Sequence, residues 1–548
     1  PPDAVPATAK HFVAYGAAEA GRDYNVADIS ERTLHELYLP PFKAAVDAGA
    51  QSIMAAFNEI AGVPMHAHQP LIEDLLRKQW GWDGLLVSDY TGVMELMPHG
   101  VAADREQAGI LGLRAGVDVD MVSQIYVKDL PAAVKAGRIP MAQLDASVRR
   151  VLNAKYRLGL FDDPYRSCTD DGARERALTL TPQHRADARR MAQKSLVLLE
   201  NDNQVLPLSK SVRTLAVIGP LADHRRAMLG NWAVAGREED AITPLEGLKA
   251  ALGDRTRLVV AKGADIDSQD TRGIADAVAA AKQADAVVMF LGEHPDMSAE
   301  ANNRTSLDLP GVQEHLALAV AATGKPVVVV LLNGRPLSIG GLKGKVPAIL
   351  EAWFPGIEGG HAIADVLFGD VNPSAKLPIT FPHNVGQVPI YYAHKNTGRP
   401  PRTEEKYTSK YLDVPWTPLY AFGHGLSYTT FRYDVPVVSS ATLKPDALEQ
   451  QVSVRVTNTG KRAGDEVVQL YVRDDVASIT RPVKQLRGFQ RVSLQPGESK
   501  TVTFTLGFDD LAMYDARMRQ VVEPGTFTVF VGGSSDRTQQ TAFRVAGP

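Results

Sequence analysis

The spacing of apolar residues changes along the chain, and this change restricts the fold more than any other feature. Between residues about 213 and 385, several short runs are apolar without interruption. Such runs are typical of parallel strands that are covered on both faces. This part is therefore predicted to be an α/β sandwich domain, with ligand sites at the carboxyl ends of its strands. The predicted strands are Leu215–Ile218, Leu258–Val260, Ala286–Leu291, Val327–Leu332 and Ala348–Ala352.

Near the C-terminus the apolar residues instead alternate strictly with polar ones. Turn residues such as Asn458–Thr459–Gly460 and Pro496–Gly497 separate the alternating segments. About 110 residues of this pattern predict a fibronectin III-like β-sandwich over residues 436–548. The alternating positions are Val452/Val454/Val456, Val468/Leu470/Val472, Val502/Phe504/Leu506 and Phe527/Val529/Val531.

Residues 1–165 alternate short strand patterns with helical ones, which implies a parallel sheet with crossover helices. Ser52–Phe57 and Gly84–Ser88 are predicted strands. A complete (β/α)8 barrel takes about 250 residues, so this segment is expected to be the C-terminal part of one. A late helix is predicted from an apolar stripe formed by Leu144, Val148, Val151 and Leu152.

Two remaining stretches are expected to join these domains. Residues 166–212 are polar and then helical, which is typical of a connector. Residues 386–435 are rich in proline and tyrosine, and they are predicted to be a linker or an interface. Aromatic residues and arginine favour interfaces, so a homodimer is predicted, with packing between the chain's own domains as the alternative.

Composition excludes several classes of function. A formal charge of −4 gives no basic surface for nucleic acid or an anionic membrane. No apolar run reaches the about 18 residues of a membrane-spanning helix. Cys168 is the only cysteine, so an internal disulfide or a cysteine-based metal site is excluded. The start, Pro1–Pro2–Asp3, is neither an initiator methionine nor a signal peptide, so the chain is expected to begin inside a longer protein.

Three places combine reactive side chains with a suggestive position. Asp89 directly follows an apolar strand, where barrel enzymes carry their catalytic groups. Lys10 and His11 precede an aromatic residue, and Glu300 lies in a polar loop after an apolar run. Each is weak alone, because the chain has 63 acidic residues and nearly all must be solvated or paired.

Five longer segments resemble signatures of glycoside hydrolase family 3. They follow one another in the order expected of that family and run through nearly the whole chain. Trp80–Tyr90 is similar to the nucleophile signature, which usually ends in Ser-Asp-Trp. The other segments are Ala7–Gly16, Ser195–Leu208, Gly356–Ser374 and Phe422–Tyr428.

The resemblance implies roles for particular residues. Asp89 would be the nucleophile, and Lys10 and His11 would bind hydroxyls of the sugar in the −1 subsite. Tyr90 stands where tryptophan is common, which would alter the aglycone side of the pocket. Glu300 would be the general acid/base, although alanine precedes it in place of the usual glycine. Glu95, six residues after Asp89, is the alternative acid/base.

The implied reaction is double displacement by a retaining, exo-acting β-glucosidase on short β-linked gluco-oligosaccharides. Such a reaction uses two carboxyl groups about 5–5.5 Å apart and requires no metal or organic cofactor. A β-xylosidase or arabinosidase would keep the same motifs. A non-catalytic carbohydrate-binding protein is disfavoured by the acid at position 89. The resemblance also implies a periplasmic location, with the signal peptide and the first half of the barrel outside this chain.

Overall fold

The computed structural model describes residues 5–165, 168 and 171–547. The chain divides into two compact units, Pro1–Ala177 and Leu178–Pro548. A search of the described residues for a helix with the length and apolar character of a membrane span found none.

The first unit is built on three parallel strands. β1 (Thr8–Phe12) pairs with β2 (Ser52–Ala55), which pairs with β5 (Leu85–Val87). A short hairpin of β3 (Glu59–Ile60) and β4 (Val63–Pro64) lies between β2 and β5 in the sequence. Helices follow the strands, as in part of a (β/α)8 barrel. The longer ones are Leu39–Asp47, Pro70–Gln79, Arg105–Ala115, Leu130–Lys135 and Met141–Arg157.

The predicted late helix exists, but only part of its apolar stripe packs inward, and its most buried residue is polar. In Met141–Arg157, Ser147 is the buried residue, whereas Val148 and Leu152 are nearly half exposed. The cause is a polar anchor: Ser147 Oγ donates a hydrogen bond to Asp118 Oδ1 at 2.6 Å. Arg150 pairs with the same carboxylate oxygen at 2.8 Å. The helix is therefore held to the unit by a buried charge.

The second unit contains a six-stranded sheet whose five predicted strands are confirmed. Its order is β6-β11-β10-β9-β7-β8, and β7 to β11 run parallel. Helices cover both faces, so the central strands β9 and β10 are completely buried. The strands are β6 (Val197–Asn201), β7 (Thr214–Ile218), β8 (Arg257–Ala261), β9 (Ala286–Gly292), β10 (Val327–Leu332) and β11 (Ala348–Glu351). The longer helices are Pro182–Ser195, Pro244–Leu252, Ile274–Gln283, Gln313–Ala321 and Gly359–Leu367.

One strand of this sheet lies in the stretch that was expected to be a connector. β6 is antiparallel to β11 and forms an edge of the sheet. Its Val197, Leu198 and Leu199 are buried, which explains why an apolar run follows the helix Pro182–Ser195. Residues 166–212 thus contribute a strand to the α/β domain.

The C-terminal part is a β-sandwich, and the four alternating segments are strands as predicted. One sheet joins β12 (Phe431–Tyr433), β13 (Val437–Val438) and β18 to β15, and the other has the order β14-β22-β21-β16-β17. The alternating apolar residues face inward and form one core. The remaining strands are β14 (Thr442–Leu443), β15 (Gln450–Asn458), β16 (Gly464–Asp474), β17 (Gln485–Leu494), β18 (Ser499–Leu506), β19 (Met513–Tyr514), β20 (Gln520–Val521), β21 (Gly525–Ser534) and β22 (Arg537–Val545).

The tyrosine-rich stretch packs partly on this sandwich. The ring of Tyr392 stacks on Phe422 with centroids 4.3 Å apart and meets Tyr471 of β16 edge-on. Other aromatic side chains of the stretch, including Tyr391 and Tyr407, are exposed. Packing within the chain therefore accounts for some of these aromatic residues and leaves the predicted homodimer a prediction.

Candidate active site

Asp89 lies two residues beyond the end of β5 and is held by its neighbours. The residue is only 7% exposed. Its backbone N–H donates to His66 Nε2 at 3.1 Å. Its Oδ1 accepts a hydrogen bond from the Tyr90 N–H at 2.7 Å, and its backbone carbonyl accepts one from Ser88 Oγ. These three hydrogen bonds therefore hold the backbone on both sides of the Asp89 side chain.

The structure brings His11 to this carboxylate but not Lys10. His11 Nε2 lies 3.4 Å from Asp89 Oδ2, and its ring is 5.1 Å from that of Tyr15. β1, which contains His11, and β5, which precedes Asp89, pair with the two sides of β2. Lys10 is exposed, and no hydrogen bond or ion pair joins it to Asp89, although both residues are described. Tyr90 is 59% exposed next to the carboxylate.

His66 is a supporting residue that the sequence did not reveal. It is fully buried, and burial lowers the pKa of its imidazole to about 3, so the ring is neutral. A neutral ring can accept the Asp89 N–H at Nε2 only if its other nitrogen carries the proton. The ring occupies space that Gly92 leaves free, since a Cβ at Gly92 would lie 2.3 Å from Nε2. His66 and Asp89 are 23 residues apart in the chain, and no sequence motif links the two positions.

The nearby His68 has a different partner. Its Nδ1 accepts the backbone N–H of Leu71 at 3.3 Å, at the start of the helix Pro70–Gln79. The pattern His66-Ala-His68 offers two nitrogen ligands without a third ligand nearby in the sequence, which is weak support for a metal site. Each instead accepts a backbone hydrogen bond, and the two serve different segments.

Glu95 lies in a short helical turn after Asp89 and has an altered acidity. Its Oε1 accepts a hydrogen bond from Thr91 Oγ1 at 2.9 Å. Burial raises the pKa of the Glu95 carboxyl, and the negative charge of Asp89 raises it further. A raised pKa is what a general acid needs near neutral pH. The geometry therefore keeps Glu95 as a candidate.

Glu300 belongs to the second unit. It is exposed and lies in a loop after the single helical turn Pro295–Met297, beyond the carboxyl end of β9. This is the edge of a parallel sheet where ligand-binding groups are usually found.

A second buried carboxylate, Asp118, supports the strand that leads to Asp89. Its side chain is completely buried. Oδ2 pairs with Arg77 at 2.8 Å and accepts the backbone N–H of Leu86 in β5 at 3.0 Å. Oδ1 binds Arg150 and Ser147. Asp118 thus links β5 to two helices and has no free oxygen for a reaction.

Family comparisons cover most of the chain. The glycosyl hydrolase family 3 N terminal domain matches residues 3–154, and the family's C-terminal domain matches residues 196–428. A fibronectin type III-like domain matches residues 466–535. The fold class predicted from the sequence is therefore confirmed.

Individual relatives extend over the whole chain. A periplasmic β-glucosidase of Salmonella typhimurium is 46% identical over 98% of this chain and 73% of its own length. A β-xylosidase of Formosa agariphila is 44% identical over 96% of this chain and 74% of its own length. A crystal structure of a β-glucosidase from Listeria innocua with isofagomine has a TM-score of 0.95 at 40% identity, covering all of this chain and 75% of that one. This chain thus spans about three quarters of these relatives, and it belongs to glycoside hydrolase family 3 and is a glycoside hydrolase.

Proposed function

We propose that the chain is a retaining, exo-acting β-glucosidase that removes terminal β-D-glucosyl residues from short oligosaccharides. The observation that carries the proposal is the fixed Asp89 carboxylate with His11 Nε2 at 3.4 Å. Relatives named β-glucosidase, including the Salmonella and Listeria proteins, support the choice of glucose.

In the first step Asp89, as the carboxylate, attacks the anomeric carbon and forms a covalent glycosyl ester. The acid/base group protonates the departing oxygen in the same step. In the second step that group removes a proton from water, which attacks the same carbon and releases the sugar with retained configuration. His11 and Lys10 bind hydroxyls of the sugar, and Tyr90 contacts the leaving group.

Glu300 is the proposed acid/base, and Glu95 is its rival. Glu300 is favoured by its place in the Ser-Ala-Glu-Ala-Asn-Asn-Arg segment. Glu95 is favoured by the rise in pKa that burial and Asp89 produce. The two assignments make different predictions for the same pair of variants.

The deciding experiment compares Glu300→Ala and Glu95→Ala on aryl glucosides and on disaccharides. Removal of the acid/base should hardly affect a nitrophenolate leaving group, because it needs little protonation, but should slow a sugar alkoxide by about 10²–10⁴-fold. Added azide should rescue that variant on the activated substrate and give the β-glycosyl azide. If Glu95→Ala behaves in this way and Glu300→Ala changes only KM, the acid/base is Glu95.

A β-xylosidase is the second candidate function. The 44% identical Formosa relative carries that name, so family membership does not choose between the two sugars. The test is hydrolysis of nitrophenyl glucoside, xyloside and arabinoside beside a panel of β-linked glucose disaccharides, with the released sugars identified. A higher kcat/KM on the xyloside than on the glucoside would overturn the proposal of a glucosidase.

The setting of the enzyme is also a proposal. A periplasmic location is supported by the name of the Salmonella relative. A homodimer is supported by the exposed aromatic residues of the tyrosine-rich stretch, where Tyr391, Tyr411 and Trp416 line an open pocket of about 610 Å³. Such aromatic surfaces favour interfaces between proteins.

A further inference from the structure

A buried carboxylate lies at the base of the loop that carries Glu300. Glu293 directly follows β9 and is completely buried. Its Oε1 is 2.5 Å from an Nη1 donor of Arg304 and 3.1 Å from Nε of Arg335. Its Oε2 accepts the backbone N–H of Gly334 at 3.3 Å. One buried negative charge therefore pairs with two guanidinium groups, by a hydrogen bond to Arg304 and by an ion pair without hydrogen-bond geometry to Arg335 Nε.

Both guanidinium groups also bind the backbone of the loop from residue 297 to residue 308. An Nη2 donor of Arg335 binds the carbonyls of Met297 and Asn302, the latter at 3.2 Å. An Nη2 donor of Arg304 binds the carbonyl of Asp308 at 3.0 Å. The contacts lie before and after Glu300, so the loop is tied on both sides of that residue.

The loop also rests directly on the backbone below it. A Cβ added at Gly334 would lie 2.1 Å from Ser298 Oγ and 2.7 Å from Ser298 Cβ. Any side chain at position 334 would push Ser298 away, and Ser298 is two residues before Glu300. The absence of a side chain at Gly334 therefore brings the loop close to the end of β10 (Val327–Leu332).

Apolar side chains in place of this buried charge cluster would stabilise the fold equally well. Taking a carboxylate and two guanidinium groups out of water costs several kcal/mol per ion, and their attraction largely offsets that cost without a clear surplus. What an arginine adds is geometry, because its planar fork binds several acceptors in fixed directions. The cluster therefore suits the placing of a loop better than the stabilising of a core.

We propose that Glu293, Arg304 and Arg335 are positioning residues that hold the 297–308 loop so that Glu300 can transfer its proton. This inference rests on the proposed role of Glu300 as the acid/base. The three residues touch no substrate in this account. They act through the backbone of the loop, and a displacement of about 1 Å at a reacting group can cost about 10²-fold in rate.

The test uses three variants in the full chain. Arg335→Lys keeps the positive charge beside Glu293 but cannot bind two carbonyls in the same geometry. Glu293→Gln keeps the shape and removes the charge. Gly334→Ala displaces Ser298 and leaves all three charged side chains in place, although the Gly334 N–H itself donates to Glu293 Oε2. The matched control is Arg185→Lys, because Arg185 binds the buried carboxylate of Glu358 at 2.8 Å in the same unit but does not contact the loop.

Two readouts separate positioning from folding. Hydrogen exchange of the peptide that spans residues 297–308 should become at least tenfold faster in the three variants and stay unchanged in Arg185→Lys. Rates on disaccharides should fall by about 10²-fold, whereas rates on dinitrophenyl glucoside should change little. Melting temperatures are measured for the three test variants and the Arg185→Lys control. If one test variant does not fold, the comparison uses the other two test variants.

The outcomes distinguish this inference from the proposed function. If loop exchange does not change, or if all substrates slow equally, the cluster does not position Glu300 and the inference is wrong. If the loop loosens but Glu300→Ala itself lacks any dependence on the leaving group, the proposed role of Glu300 is wrong and the catalytic part of the inference fails with it.

Discussion

Replacing His66 removes the hydrogen-bond acceptor that holds the backbone of Asp89. In His66→Ala the buried Asp89 N–H, which now donates to Nε2 at 3.1 Å, has no acceptor. Leaving a buried donor unsatisfied costs about 1–3 kcal/mol. If the Asp89 loop shifts in response and the activation barrier rises by the same free energy, kcat falls by about 5- to 150-fold. The loss should be the same for aryl glucosides and disaccharides, because the nucleophile acts on every substrate.

Two further variants separate this effect from general damage. His66→Gln sets an amide oxygen near the position of Nε2 and should restore most of the activity. His68→Ala removes an acceptor two residues away that serves the N–H of Leu71, so it should lower the melting temperature and keep kcat. The assay is initial rates on a series of aryl glucosides with thermal melts in parallel. Wild-type kcat in a folded His66→Ala protein, or equal losses in the Gln and Ala variants, would refute the reasoning.

Three other measurements test the buried ion pair of Asp118, the pH dependence due to His66 and the oligomeric state. Asp118→Asn should reduce the free energy of unfolding by about 3–5 kcal/mol in urea titrations because it breaks a buried ion pair. Asp74→Asn, which breaks an exposed pair with Lys78, should leave the free energy of unfolding nearly unchanged. Burial lowers the pKa of His66 from 6.5 to about 3, so the ring takes up a proton more readily in the unfolded chain than in the folded one. The stability contributed by the neutral ring is therefore complete above pH 6.5 and is lost as the pH falls toward 3. The free energy of unfolding, measured by urea titration, should therefore decrease between pH 7 and pH 5. The decrease should be up to about 1.4 kcal/mol per pH unit larger in the wild type than in His66→Gln. Light scattering at micromolar concentration should give twice the chain mass, and a stable monomer would contradict the predicted homodimer.

The strands were predictable because their signal is local. An uninterrupted run such as Val327–Leu332 and the alternation around Val452–Val456 depend only on which faces are buried. The helix Met141–Arg157 was also predicted, but the burial of Ser147 and the exposure of Val148 and Leu152 were not. The reason is that a charged partner, Asp118, decides which side packs inward, and this residue is distant in sequence.

The site divides in the same way. The position of Asp89 after a short apolar strand made it only a candidate, and its role was implied by the resemblance of Trp80–Tyr90 to the family 3 signature. The structure then placed His11 beside its carboxylate. His66 could not be found, because its importance lies in a hydrogen bond to a residue that is far along the chain. The rivalry between Glu95 and Glu300 was visible in the sequence, but the rise in the pKa of Glu95 was not, because it comes from burial and from the charge of Asp89 in the folded chain.

The proposed mechanism requires Asp89 to form a covalent bond to the sugar. The most direct measurement is to inactivate the enzyme with an activated 2-deoxy-2-fluoro-β-glucoside, digest it at low pH and map the modified peptide by mass spectrometry. We expect one 2-deoxy-2-fluoroglucosyl group on the side chain of Asp89. A label on any other residue, or continued turnover without a covalent species, would contradict it.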